Sequence, residues 1–195
     1  MGLRILIIIL NISLNLSAQE NNIISLVNGY MKDISNYNEI LFVSVEKQKL
    51  YHIKSNTILK TYQVSSSKLG TGNEEGSNKT PTGLHLIKEK IGKKIPINGR
   101  FIGRVFYGNI AKIYSDMTIS KTDDITSRIL WLSGLENGVN KGDSIDSYER
   151  YIYIHGTSEE GRIGIPSSHG CIRMKNKDVI DLFNEVSIGT FVLIL

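Results

Sequence analysis

Cys171 is the only cysteine among 195 residues, and it stands in the run Ser167-Ser168-His169-Gly170-Cys171-Ile172-Arg173-Met174. His155 lies sixteen positions upstream, at the end of Tyr151-Ile152-Tyr153-Ile154-His155. A thiol attacks a carbonyl as thiolate, and a neighbouring imidazole takes its proton or holds it as an ion pair, so one cysteine and one histidine make a working nucleophile pair. Strand alternation puts Tyr151, Tyr153 and His155 on one face, with His155 at the strand mouth. Gly156, Gly161, Gly164 and Pro166 let residues 156–168 fold as a lid or wall that returns Cys171 to His155. Gly170 permits an unusual backbone angle and a close approach by a substrate carbonyl, which makes the amides of Gly170 and Cys171 candidates for an oxyanion hole.

Blander roles compete with this one. A lone cysteine commonly packs as a small hydrophobe. His155, His169 and Cys171 lack metal-type spacing and an obvious fourth ligand, so neither a metal nor a cofactor is expected. His52 and His85 fall in strand-like segments and read as structural or surface residues. Arg173 suits either a substrate carboxylate or a structural ion pair.

Residues 1–18 carry Arg4, a short apolar run from Ile5 to Leu10, and a small-residue exit at Ser17-Ala18, the pattern of a signal peptide. The run is too short to span a bilayer, so membrane attachment is expected only if the signal stays uncleaved. An exported chain with one thiol has no internal disulfide, and its cysteine is exposed to oxidation, which favours a chemical role. The expected location is the periplasm or cell envelope.

With 41% apolar residues, a net charge of +4 and dispersed basic residues, the chain reads as a folded domain without a nucleic-acid partner. Residues 20–35 have helical spacing, and strands are predicted at 39–45, 49–54, 57–65, 84–90 and 190–195. Residues 66–83 read as a long surface loop, and the acidic pair Glu74-Glu75 as part of its solvated face. Residues 91–150 read only as strands and loops. Asn176 is placed to cap a helix carrying Val179, Leu182, Phe183 and Val186. The expected class is mainly β, a β-rich α+β domain with an N-terminal helix and a helix after the cysteine.

Together, His155-Gly156, the Gly-rich insert and Ser168-His169-Gly170-Cys171-Ile172-Arg173 resemble the signature of the L,D-transpeptidase (YkuD-type) catalytic domain of bacterial cell-wall enzymes. Val64-Ser65 through Thr80-Pro81-Thr82-Gly83-Leu84-His85 is similar to that family's earlier segment, and Gly189-Thr190-Phe191-Val192 to its closing strand. The resemblance implies a β-sandwich-like catalytic domain over 39–195, following a helical segment at 19–38. It implies Cys171 as nucleophile, His155 as its base, and the Gly156 carbonyl as the group that orients the imidazole. His169 is then a site-orienting residue, while Ser168 and Arg173 are substrate-binding candidates, Ser168 more as a support of the turn. Arg173 stands where some members carry asparagine, and no extra wall-binding repeat is recognisable.

The implied substrate is a peptidoglycan stem peptide. Cys171 would form a thioester at the third residue of a tetrapeptide and release D-alanine, and a stem amine, a wall-linked protein or water would take the acyl group. The alternatives are an L,D-carboxypeptidase, a sortase-like transpeptidase, disfavoured by the close Ser-His-Gly-Cys run, and a non-catalytic wall-binding module.

Overall fold

In the computed structural model the described residues are 18–34 and 37–195, so the signal-peptide expectation for 1–18 lies outside them apart from Ala18. Helix α1 covers residues 18–30. Ten strands follow: β1 Glu39–Ser44, β2 Lys49–Lys54, β3 Thr57–Ser65, β4 Gly83–Ile91, β5 Gly99–Ile102, β6 Val105–Ile110, β7 Ile125–Gly134, β8 Tyr153–Thr157, β9 Ile172–Met174 and β10 Phe191–Ile194. Helix α2, Asn176–Glu185, lies between β9 and β10.

Strands β1, β2 and β3 form an antiparallel meander, and Ser55-Asn56 joins the last two with both residues at positive φ, the backbone a two-residue hairpin turn requires. The whole sheet runs β4-β10-β1-β2-β3-β9-β8-β7-β5-β6. An additional pairing of β4 with β7 closes its first eight strands on themselves. The mainly β fold is as expected, with a helix before the strands and one after the cysteine; its sheet runs continuously, and the β5–β6 hairpin is appended to β7.

Period-two alternation sends neighbouring side chains to different cores. Leu41, Val43, Leu130, Leu132, Ile154, Ile172 and Met174 face inward, where Val179, Leu182, Phe183 and Val186 of α2 and its C-terminal cap meet them. Ile40, Phe42, Tyr51, Ile53 and Leu193 face outward and are covered by Ile23, Val27 and Met31 of the N-terminal segment. Phe101, Ile129, Trp131 and Tyr153 form a third cluster on the outer face, packed against Cys171. Burial on both faces makes Ile129-Leu130-Trp131-Leu132 of β7 a continuous apolar run instead of an alternating one.

Asn176 does not cap α2 with its side chain. Lys175 holds the cap position, Asn176 is the first helical residue, and the Glu160 carboxylate accepts the Asn176 backbone N–H at 2.7 Å. The Asn176 side chain turns inward, accepting from Thr126 Oγ1 and Ser127 Oγ and donating to the Thr157 carbonyl. It thereby ties α2 to the ends of β7 and β8. Leu182→Ala should cost about 2–5 kcal/mol of unfolding free energy, because it opens a cavity between α2 and the closed sheet. A chemical denaturation midpoint equal to that of the unmodified protein would contradict this packing.

Candidate active site

The connection from β8 to β9, residues 158–171, has the length that a parallel crossover requires. In the resulting register Ile154 faces Ile172, His155 faces Arg173 and Gly156 faces Met174. Cys171 stands two residues before Arg173, so the thiol and the imidazole share the outer face, one strand spacing of about 4.8 Å apart and offset along the chain. The strand itself differs from expectation. It begins at Tyr153 and runs on to Thr157, leaving His155 buried in mid-strand instead of at the mouth, while Tyr151 lies outside it at φ 56°.

A cavity of about 80 Å³ is lined by Asp123, Ile125, His155, Ser168, His169 and Cys171. The half-buried Cys171 Sγ accepts the Tyr153 N–H at 3.3 Å and donates to the Tyr151 carbonyl at 3.4 Å. No hydrogen bond joins it to His155 among the described residues, so the thiol must leave Tyr151 to reach the imidazole. His155 Nδ1 lies 2.7 Å from the Gly156 carbonyl oxygen. A carbonyl only accepts, which fixes the proton on Nδ1 and leaves Nε2 as the open base. Gly156 is required here by close packing. A Cβ would come within 2.6 Å of the Thr126 carbonyl oxygen and 2.7 Å of Asn176 Oδ1.

The turn bearing the thiol is held from several sides. Gly170 has φ +128°, and the Thr80 hydroxyl donates to its carbonyl at 2.9 Å. Ser168 is buried; its hydroxyl donates to the Cys171 carbonyl at 2.6 Å and accepts the Gly170 N–H at 3.2 Å. Ser168 thus braces the turn, and one of the two amides expected at the oxyanion is already engaged. The segment 66–83 is not simply a surface loop. Ser66, Ser67 and Thr80 are buried, Ser67 pairs with Ser168, and Arg150 donates to the carbonyls of Gly72, Asn73 and Lys79.

Arg173 is 2% exposed, with Nη1 2.9 Å from Glu159 and Nη2 paired with Asp123. Substrate docking gives way to the structural ion-pair role at this residue, since its two terminal nitrogens are spent on the buried Glu159 and the partly buried Asp123. Asp123 also takes His169 Nδ1 at 2.6 Å, so one carboxylate joins the second histidine to the arginine after the nucleophile. Nothing in Thr122-Asp123-Asp124-Ile125 marks this role in the sequence. It arises because β7 pairs with β5 and β8 and carries the preceding loop to the site. Thr80 falls in the family-like segment ending at His85 and otherwise reads as loop, and the proline after it favours the extended backbone that brings it to Gly170. His52 and His85 are buried and occupied elsewhere, by Glu39 and by the Gly83 carbonyl and Ser147 hydroxyl respectively.

Burial dominates the electrostatics of the pair. It pushes the Cys171 thiol up to about 11, against the Tyr153 N–H, which favours the thiolate. It pushes His155 down to about 4, against the Gly156 carbonyl, which favours the protonated ring. Burial would raise Asp123, but the Arg173 guanidinium and His169 hold it below its ordinary value. The resting site therefore holds a neutral thiol and a neutral imidazole, not an ion pair.

A half-buried thiol immediately before β9 and a desolvated imidazole on the adjacent β8 define a candidate cysteine-nucleophile site. The sequence signature described as YkuD, the L,D-transpeptidase catalytic domain, matches residues 38–194, and the chain belongs to that family. It is 46% identical over 41 residues to the Probable L,D-transpeptidase YbiS of Escherichia coli, a stretch covering 21% of this chain and 13% of that protein. It is also 46% identical over 46 residues to the Probable L,D-transpeptidase ErfK/SrfK of Salmonella typhimurium, covering 24% and 15%. The matched stretches span a quarter or less of these curated relatives.

Among solved structures, an L,D-transpeptidase from Xylanimonas cellulosilytica aligns with TM-score 0.49 at 18% identity, over 83% of this chain and 62% of that one. L,D-transpeptidase 3 from Mycobacterium tuberculosis, in complex with a faropenem-derived adduct, aligns with TM-score 0.47 at 12% identity, over 80% and 60%.

The rate of Cys171 alkylation by iodoacetamide should keep rising with pH beyond 9, since burial pushes the thiol well above its ordinary range. A plateau already reached near pH 6 would instead reveal a resting thiolate–imidazolium pair.

Proposed function

We propose that this protein is a peptidoglycan L,D-transpeptidase in which Cys171 is the nucleophile and His155 its base. The observation that carries the reading is that Cys171, immediately before β9, and His155 of the paired β8 line one cavity, with the imidazole tautomer set by the Gly156 carbonyl. In the first step Cys171 Sγ leaves the Tyr151 carbonyl and attacks the carbonyl of the third residue of a tetrapeptide stem, while His155 Nε2 takes the thiol proton. The peptide C–N bond breaks, the proton passes to the departing amine of D-alanine, and the acyl group stays on sulfur as a thioester. A deprotonated acceptor amine then attacks the thioester, and Sγ leaves and regains a proton.

Because both groups rest neutral, transfer of the thiol proton is coupled to attack and does not precede it. His169, positioned by Asp123, is an orienting residue at the cavity rim, and Arg173 keeps Asp123 charged beneath it. The acceptor is the amine of a neighbouring stem or of a wall-linked protein; water as acceptor makes the same site an L,D-carboxypeptidase. Export to the periplasm or envelope is part of the reading and rests on the signal-like pattern of residues 1–18.

Incubation with purified peptidoglycan and identification of the products tests the activity and its acceptor. New stem-to-stem links, or a stem-linked protein, are expected. Cys171→Ala should abolish them, and His155→Ala should lower the rate about 100- to 10,000-fold. Undiminished linking by Cys171→Ala would refute the assignment, whereas shortened stems alone would favour the carboxypeptidase.

A further inference from the structure

Beside the thiol, the β5–β6 hairpin turns through Gly103 and Arg104, with φ of 52° and 68°. Two positive φ values make the tight turn that matches strand twist, but glycine, asparagine or aspartate is the ordinary choice there. A long cation at such a position is a choice that the turn itself does not explain. Its guanidinium carbon lies 4.6 Å from the Trp131 ring centroid and 5.0 Å from that of Tyr151, and Nη1 donates to the Tyr153 hydroxyl at 3.2 Å.

The Trp131 face of this saddle is packed and hydrogen-bonded from behind. Trp131 stacks on Tyr148 at 4.2 Å, meets Tyr153 edge-on at 5.4 Å, and donates its indole N–H to the Tyr148 carbonyl. Glu89, the nearby carboxylate, accepts from the Tyr148 hydroxyl at 2.5 Å and makes no ion pair with Arg104. Among the six arginines of the described residues, Arg104 is the one with neither a carboxylate nor a backbone carbonyl in hydrogen-bonding reach. The others hold Asp124, Glu159 and Asp123, or loop carbonyls. Only one of its five N–H groups is used. The saddle also adjoins the nucleophile, since Tyr151 and Tyr153, whose side chains meet Arg104, supply the carbonyl and amide that hold Cys171 Sγ.

We infer that Arg104, seated on Trp131, Tyr151 and Tyr153, is a carboxylate-binding subsite for the donor stem. This rests on the peptide-stem reading above and names the group by which the stem would be aligned. A guanidinium held flat by aromatic faces is weakly hydrated and presents a planar fork, which matches a carboxylate through two parallel hydrogen bonds. Two carboxylates are near enough to a scissile bond on the third residue: that of the departing terminal amino acid, and one carried by the side chain of the third residue. Either would fix the stem relative to Sγ without taking part in bond exchange.

The test is equilibrium binding by calorimetry, using full-length protein carrying Cys171→Ala so that the outcome does not depend on turnover. Three synthetic tetrapeptides are compared: the free acid, the terminal amide, and the form amidated on the third-residue side chain. Adding Arg104→Gln should weaken the free acid about tenfold or more. Arg104→Lys, which keeps the charge and loses the fork, should restore part of the loss. Amidating the engaged carboxylate should weaken binding to the Arg104 protein by the same factor and leave the Arg104→Gln protein without further effect, which identifies the source. Equal affinities of the proteins with and without Arg104→Gln for all three peptides, including no measurable binding by either, would overturn the subsite. Turnover of a stem by the Cys171 protein judges the catalytic reading separately.

Discussion

The parallel pairing of β8 with β9 is the constraint on which the site depends. A one-residue slip in that register would move Cys171 to the face of Ile154 and Ile172, inside the closed sheet and away from the imidazole. The register is held by burial, since Ile154, Ile172 and Met174 are fully enclosed against α2. The inner core therefore does more than stabilise the domain: it decides which side chains reach the outer face. Asn176 and Gly156 complete the lock, because the asparagine needs the space that a Cβ on residue 156 would fill.

Around this register lies a buried charge network whose value is organisation more than stability. Taking Arg173, Glu159 and most of Asp123 out of water is expensive, and their mutual attraction repays it only when the geometry is complete. Removing the arginine would leave Glu159 with Arg162 and Asp123 with His169 as their remaining charged or ionisable partners. The same burial sets the character of the reacting pair, holding thiol and imidazole neutral until a substrate brings them together. Such a thiol is protected from casual oxidation, since it is the thiolate that oxidises readily.

Much of this is legible in the sequence because it is local. The meander, α2 and the strand after it follow from alternation, helical spacing and turn residues, and the thiol, the base and the Gly156 carbonyl are marked by their own short runs. What is not legible depends on long-range pairing. Closure of the sheet by β4 and β7 has no local signal, and Asp123 reaches His169 only because three strands converge on β7. Arg173 shows the same limit: its type suits a substrate and an ion pair equally, and its burial decides between them. Asn176 has the composition of a cap, yet the pull of Thr126, Ser127 and Thr157 on its amide outweighs the helix terminus.

The central claim is that Cys171 accepts the stem as a thioester. Intact-protein mass spectrometry of the full chain, quenched in acid soon after mixing with a synthetic tetrapeptide stem, tests it most directly. The account predicts that Cys171 gains the mass of the tetrapeptide less that of the free terminal amino acid it releases. Consumption of the stem while Cys171 stays unmodified and dispensable would contradict it.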